Sequence, residues 1–535
     1  MSNLIVQYKF DKSIYDNLIP EFNTEFTNYE IVDEYLDTED IIITSTETIM
    51  LMNYDAKPDE YGVLTTEYEV ENINTFSAEN IVTRSIYNIK QFEHCSFSGC
   101  TGLLTVEFLN VTSSVFGLVG LFKDCTTLID IKGAEKWNMI NIDSYYEMFR
   151  GCSSLRTINV STWDTTKVYS MMRTFYGCNS LQELDLTNWK TNNVNSMQDM
   201  FRNCNSLTTV GDLSSWDTSK VTDMRHMFYN CKSLISLDLS NFKTNGLTDM
   251  TYMFRDCNSL TTVGDLSSWD VSNVTDMNNM FRNCKSLVEL NVDTWNVSKV
   301  TTMAYMFAFC ESLEKLEVSD WKTSSLTDIS HLFRSCLSLT SININNWDVS
   351  KVTTMASLFR DCSLLKSVYL NNWNPINVTD IQDLFTNCTS IIDIDLSNWN
   401  FNLNILTTMR NLFYNCTSLY TIKLNNWVIG SSINIENLFY NCNNLLYVTM
   451  NNSDYISVNK IIAKLQIRET TGYLYVQRNI IDDINVSEAE SKMWRILPLG
   501  GRVKNVYING NNVSNMITKQ NKKIKGIYLG NTPLL

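Results

Sequence analysis

Fourteen of the fifteen cysteines fall on one grid, at positions 100, 125, 152, 178, 204, 231, 257, 284, 310, 336, 362, 388, 416 and 442. The tryptophans keep the same step, at 137, 163, 189, 216, 269, 295, 321, 347, 373, 399 and 427, with Phe242 in the one slot that lacks one. Only Cys95 and Trp494 stand off the pattern. A strict step of about 26 residues excludes an ordinary globular core, because each unit is too short to bury an apolar face alone. Such units stack on their neighbours and share one long core, which is a solenoid.

Each unit reads, from its cysteine, Cys-x-Ser-Leu-x-x-Leu-x-Leu-x-x-Trp-Asp-x-Ser-x-Val-x-x-Met-x-x-Met-Phe. In the unit of Cys231, Leu237 and Leu239 are two apart, as on one face of a strand. Val221, Met224, Met227 and Phe228 have the spacing of a short apolar helical stripe. Asp217, Thr218 and Ser219, between strand and stripe, are residues that bond nearby backbone amides. The unit is therefore expected to be a short strand, a turn and one or two helical turns, with strands stacked in parallel. In "LTTVGDLSSW", at 207–216 and again at 260–269, one extra residue and a glycine predict a bulge or widened turn.

The recurring units, such as "CKSLISLDLSNFKTNGLTDMTYMF" at 231–254 and "CKSLVELNVDTWNVSKVTTMAYMF" at 284–307, resemble the BspA-like leucine-rich repeats, a family also seen in mycoplasma lipoproteins. The resemblance covers residues 96–450. It implies a right-handed leucine-rich-repeat solenoid of about 13 repeats with parallel strands and short helices. Such repeats serve as binding surfaces for varied ligands, so the resemblance implies fold more than function.

The ends lack the period. Residues 1–95 contain β-rich stretches, "LIVQYKF" and "EYGVLTTEYEVENI", and read as a small acidic β-rich domain that caps the first repeat. Residues 451–535 read as a basic mixed α/β domain or cap. There "SVNKIIAKLQIRE" predicts a helix, "GYLYVQ", "RVKNVYING" and "KIKGIYLG" predict strands, and "NGNN" a turn. Residues 1–90 hold 18 Asp+Glu against 5 Lys+Arg, and residues 450–535 hold 6 against 12. Ends of opposite sign suit docking to different partners or to each other across subunits, and equally suit plain solvated surfaces.

The net charge of −16 argues against nucleic acid as a partner. No apolar run reaches the length of a membrane-spanning helix, and the N-terminus has no signal-peptide pattern.

Chemistry-bearing motifs are scarce. One thiol per unit, each after an apolar pair, reads as a small buried hydrophobe rather than a metal ligand or disulfide partner. The methionine stripe reads as core. His94, His226 and His331 each stand alone, the last two at equivalent non-core positions. The sequons at Asn273, Asn296 and Asn377 matter only after export, and glycosylation is not expected. Neither a phosphate loop nor a hydrolase or metalloprotease motif is present, so no enzyme, cofactor or metal is expected.

The better candidate is the outward residue between the two inward apolar residues of each strand. These form a polar ladder: Asn159, Asp185, Asp238, Asn291, Glu317, Asn343, Tyr369, Asp395 and Lys423, continued by Thr449. Solenoids often bind along such a face, though a solvated sheet surface has the same pattern. Aromatic residues in this row are few, which weighs against stacking on carbohydrate.

The opening "LIVQYKFD" and closing "KIKGIYLGNTPLL" are similar to the ends of structural proteins of tailed bacteriophages and prophages. That resemblance, with the lack of a signal peptide, implies a non-enzymatic virion protein of the tail or baseplate. It would assemble in the host cytoplasm in several copies or as a homo-oligomer. An end domain would contact other virion proteins, and the repeats a host surface protein or glycan. A BspA-like adhesin of the bacterial cell surface is the first alternative, and a wall-degrading enzyme in an end domain the second.

Overall fold

A computed structural model of the chain describes residues 97–99, 118–402 and 404–499, together with the short strand segments named below. His94, Cys95, Cys100 and most of the expected end domains lie outside the described residues. Two compact units are distinguished: residues 1–326 with 332–338, and residues 327–331 with 339–535. Among the described residues, no helix is long and apolar enough to cross a membrane.

In the first unit, β1 (Val6–Phe10) pairs antiparallel with β2 (Ile41–Ser45), β3 (Val63–Leu64) and β5 (Leu103–Phe108), while β4 (Glu67–Tyr68) lies beside β2. From β5 onward every pairing is parallel. β6 (Asp130–Lys132) pairs with β5 and with β7 (Thr157–Ile158), and β8 (Glu289–Leu290) pairs with β9 (Lys315–Leu316). Between them single bridges continue the ladder, Glu183 with Thr209 and Ser236 with Thr262. β1 thus covers the edge of β5 that the parallel ladder leaves open, which protects it from pairing with a foreign strand.

The second unit has parallel pairs β10 (Ser341–Asn343) with β11 (Ser367–Tyr369), and a parallel sheet of β12 (Asp393–Asp395), β13 (Thr421–Lys423), β14 (Tyr447–Met450), β15 (Gly472–Gln477) and β16 (Trp494–Leu499). α1 (Tyr455–Lys464) links β14 to β15, and α2 (Val486–Ser491) precedes β16, so residues 451–499 add two coils to the same sheet. Asp454 caps α1 by accepting from the Ser457 amide, and the Lys492 ammonium donates to the carbonyls of Ile462 and Ala463 at its other end. Further on, β17 (Tyr507–Ile508) pairs antiparallel with β18 (Asn511–Asn512), and β19 (Tyr528–Leu529) with β20 (Thr532–Pro533).

The solenoid core is the expected one. Leu184, Leu186, Trp189, Val194, Met197, Met200, Phe201, Cys204 and Leu207 are all buried in a single coil. The phenylalanines stack ring on ring, Phe149 to Phe175 to Phe201 to Phe228, at centroid separations of 5.3 to 5.8 Å. In coil after coil the Trp indole N–H donates to a carbonyl of the preceding coil, as from Trp163 to Ala134 at 2.8 Å and from Trp189 to Val160 at 3.0 Å. The Trp-Asp-x-Ser segment forms the expected side-chain-capped turn, with Asp217 accepting from the Ser219 amide at 3.0 Å.

The short helices expected in each repeat are replaced by a run of turns. Met200, Arg202 and Cys204 donate their amides to Met197, Asp199 and Phe201 three residues back. The alternate amides of Met197, Asp199, Phe201 and Asn203 donate instead to Asp223, Arg225, Met227 and Tyr229 of the next coil. A helix would spend all of these donors on itself. Asp199 and Asn203 have φ of 56° and 65°, and pairs four apart recur in coil after coil. A left-handed residue every four positions excludes a helix and suits the third residue of a type II turn.

Candidate binding face

The strand side of each coil turns Leu or Ile inward and one residue outward, so register decides which side chains become neighbours. In the second unit Asn343 stands beside Tyr369, and Asp395 beside Lys423, which stands beside Thr449. Lys423 Nζ lies 3.1 Å from Asp395 Oδ2. Burial pushes the Asp395 carboxyl up, but hydrogen bonds from Ser397 and from Lys423 outweigh it and hold the group below the usual range. Asn159, Asp185, Asp238, Asn291, Glu317, Asn343, Tyr369 and Lys423 are exposed, while Asp395 and Thr449 are half-buried.

Several of these side chains also have local work. Asn159, Asp185, Asp238, Asn343 and Asp395 each accept the amide two residues on, at 3.1 to 3.2 Å. They cap the turn that leaves the strand, and one oxygen of each carboxylate is committed to it.

The row is interrupted twice. At the two longer coils, Gly211 and Gly264 occupy left-handed conformations with φ of 80° and 81°. A Cβ on Gly211 would come 2.9 Å from both Asp185 Oδ1 and Thr187 Oγ1, so the bulge requires glycine by conformation and by close approach. The interruption separates Asp185 from Asp238, and Asp238 from Asn291; Asn291 reaches back to Asp265 at 2.9 Å.

Asn159 and Asp185 are brought together in an open groove of about 620 Å³ that ends at Gly211. Asp130, Lys132, Glu135 and Glu183 also line it, over a floor that includes Ile158 and Leu184. Asp130, Glu135 and Glu183 form no ion pair among the described residues, and with Asp185 they outnumber the one cation of the lining, Lys132, so the groove is acidic. Among the described residues no group of His, Cys, Asp and Glu is arranged to hold a metal ion.

The expectation of few aromatic residues holds for the middle row alone. Tyr420, just before β13, meets Tyr447 edge-on at 5.3 Å, and Tyr447 stacks on Tyr473 at 5.6 Å. Burial, then the hydrogen bond with Tyr420, raises Tyr447 to about 12. Following one outward position per strand missed this cluster, which occupies the flanking positions.

The turn side carries a second patterned surface that the sequence reading left aside. The residue after each core phenylalanine is Arg150, Tyr176, Arg202, Tyr229, Arg255 and Arg282 in successive coils. The Arg202 guanidinium lies 5.5 Å from the Tyr176 ring and 4.9 Å from that of Tyr229. Glu147 sits among Lys123, Arg150 and Arg173, and Asp199 among Arg173, Arg202 and His226. His226 is not a plain surface residue: it is half-buried, with Nδ1 3.4 Å from Asp199 Oδ1. Burial depresses its basicity, against the pull of Asp199.

The chain is similar to several solved structures. A leucine-rich repeat protein from Bacteroides ovatus is 15% identical, with 89% of this chain and all of that chain covered and a TM-score of 0.36. A leucine-rich repeat protein of Leptospira interrogans is 11% identical, covering 70% of this chain and 95% of that one at a TM-score of 0.23. The functional domain of InlJ from Listeria monocytogenes, described as including a cysteine ladder, is 15% identical over 62% of this chain and 66% of its own, at a TM-score of 0.19. No curated protein matches the chain. Leucine-rich-repeat solenoids are typically binding scaffolds rather than catalysts, and this one presents a surface suited to protein binding or adhesion. Residues 116–210, 208–315, 261–343 and 338–452 each match the family described as "Mycoplasma protein of unknown function, DUF285", and on that match the chain belongs to this BspA-like leucine-rich repeat family.

Proposed function

We propose that the protein is a non-enzymatic binding component of a tailed-bacteriophage particle, held in the tail or baseplate by an end domain and contacting a host surface protein through the strand side of its repeats. The observation that carries the binding role is the acidic groove at Asn159 and Asp185. It is concave, has an apolar floor, and bears four carboxylates, Asp130, Glu135, Glu183 and Asp185, against the single cation of Lys132. Rigid repeats pre-organise such a surface, so little ordering cost opposes binding. The particle role rests on the likeness of the opening and closing segments to phage structural proteins. A surface adhesin of the bacterial cell is the second reading, favoured by the mycoplasma family match.

Binding of the purified chain to host envelopes tests the first part. Replacing Asp130 and Asp185 by Asn and Glu183 by Gln keeps shape and the Asp185 cap, and should weaken binding at least tenfold. Equal binding by that variant would show that the groove takes no part in binding. Mass spectrometry of purified particles tests the second part. Finding the chain in particles supports the virion role; finding it on host cells and not in particles establishes the adhesin reading instead.

A further inference from the structure

Arginine is not spread evenly over the repeats. Between residues 118 and 338 there are eight arginines, at 150, 156, 173, 202, 225, 255, 282 and 334, and all but Arg156 belong to the turn-side segment around the core Met and Phe. The lysines of the same stretch, apart from Lys123, lie in other parts of the repeat. Lysine would serve a solvated face as well; a planar guanidinium is distinguished by stacking on rings and by bidentate bonds to carboxylates.

The arginines do not all have acids of their own. Arg150, Arg173 and Arg202 are met by Glu147 and Asp199. Arg255 has Asp256 alone, at 3.2 Å. Arg282 donates to the amide oxygen of Asn279 and lies 4.8 Å from the Tyr305 ring and 5.7 Å from Phe309, and among the described residues it forms no ion pair, though Asp256 is near enough to attract it. Burial, and then the neighbouring charge of Arg255, lower the Arg282 pKa. Along the row itself Arg255 and Arg282 therefore share the one carboxylate of Asp256, and the two guanidiniums are framed by Tyr229, Tyr252 and Tyr305. Stacked arginines and tyrosines are the side chains over-represented at the centres of protein interfaces.

The sequence holds a segment of complementary chemistry. "EFNTEFTNYEIVDEYLDTED", residues 21–40, has eight acidic residues, no basic one, and four aromatic rings at Phe22, Phe26, Tyr29 and Tyr35. Its carboxylates match guanidinium edges, and its rings match the tyrosines between them. A sulfated polysaccharide would meet the charge and leave the rings unused.

We propose that the arginine–tyrosine ladder centred on Arg255 and Arg282 is a self-association surface that takes the acidic segment 21–40 of a second copy of this chain. The ladder is on the turn side, so this surface is separate from the strand-side groove and its fate is independent of that reading.

Sedimentation velocity of the full chain tests it. The wild type should associate at low salt and dissociate in about 1 M salt, where the screening length falls to about 3 Å. Arg255→Gln with Arg282→Gln should weaken association at least tenfold, with circular dichroism and thermal midpoint showing that the fold persists. Arg255→Lys with Arg282→Lys should weaken it less, since charge remains and the fork is lost. A chain with Arg255→Glu and Arg282→Glu, mixed with one whose acidic residues in 21–40 are changed to Lys, should form the hetero-complex that neither forms alone. A wild type that stays monomeric at low salt, including one whose segment folds back on its own ladder, overturns the proposal. So does association that both Gln changes leave untouched, or a ladder that binds heparin while playing no part in association.

Discussion

The thiol of Cys231 donates its hydrogen to the carbonyl oxygen of Phe201, 3.1 Å away in the preceding coil. The same bond joins Cys204 to Phe175, Cys257 to Phe228 and Cys284 to Phe254, at 3.0 to 3.1 Å. The cysteine row is thus a ladder of weak S–H donors inside the core, and its regular spacing belongs to packing. The Phe201 carbonyl also accepts the Cys204 amide, so loss of the thiol leaves it bonded. Cys231→Ala should therefore cost about 1 kcal/mol, the scale of a small cavity. Cys231→Ser, which puts a strongly hydrated hydroxyl in the same apolar slot, should cost about 1 to 3 kcal/mol. Chemical denaturation of the two variants checks the order.

Burial pushes these thiols up, Cys310 to about 12 and Cys204 and Cys257 further. The thiolate is the reactive form. The thirteen described thiols, all buried and none in a disulfide, should be silent to a thiol reagent in the native protein and react together on unfolding. Fast labelling of any of them under native conditions would mean that the coil opens locally.

How much of this was legible can be read from particular residues. Period, parallel strands, buried Leu, Trp, Met, Phe and Cys, the Asp217 turn and the glycine bulges all follow from spacing. The helix did not, because Val221, Met224, Met227 and Phe228 satisfy a helical stripe and a chain of three-residue turns alike. The deciding signal was present one residue before the cysteines: Gly151, Gly177, Asn203, Asn230, Asp256, Asn283, Asn387, Asn415 and Asn441 are the residue types that accept a left-handed backbone. At the binding face, the outward row was legible, but the groove was not. It depends on where the Gly211 bulge ends the regular ladder, which spacing gives only as an extra residue. The arginine row was visible as sequence and passed over because the neighbouring Met and Phe absorbed the pattern.

Gly211→Ala should destabilise by about 1 to 2 kcal/mol, since an L-residue there must hold a left-handed backbone. Its Cβ would also press on the Asp185 carboxylate. Binding at the groove should weaken beyond what the loss of stability explains, while Gly120→Ala, left-handed but with no contact closer than 3.7 Å, should cost the backbone term alone.

Acid should act on this protein in two opposed ways. Asp217 and Asp270 are held below the ordinary carboxylate value of 3.8 by hydrogen bonds from Ser219 and Ser272. Their stabilisation is complete above that value and is lost as pH falls through their lower folded values. Burial raises Asp276 and Asp380 above it. For these the folded state favours the protonated form, so stability rises as pH falls through their folded values and is lost again on return to neutrality. Asp276 accepts the Asn278 amide at 2.8 Å, a bond that Asn434 makes in its own coil to Glu436. Asp276→Asn should therefore keep the bond, raise the thermal midpoint at pH 7, and leave it unchanged in acid. An equal shift at both pH values would assign the effect to something other than ionisation.

Asn415 separates the two reasons for asparagine in this fold. It holds φ of 59°, donates its side-chain amide to Asn387 Oδ1 at 2.9 Å, and accepts from the Asn441 side chain. Asn387 in turn donates to Asp361, so amides run coil to coil as a continuous ladder. Asn415→Gly removes both side-chain bonds and no backbone preference, since glycine takes left-handed φ freely. Asn415→Ala removes the same bonds and adds the left-handed penalty of about 1 to 2 kcal/mol. The difference between the two variants then measures the backbone, and the difference between wild type and Gly measures the ladder, with glycine's greater unfolded-state freedom, about 0.4 to 1 kcal/mol, subtracted. If the ladder contributes at the level of ordinary half-buried hydrogen bonds, Gly should lie about 1 to 3 kcal/mol below wild type and Ala lower still. Ala above Gly in a urea titration would show that the turn relaxes out of the left-handed region, and the coil-to-coil amide bonds, rather than φ, would then be what selects asparagine there.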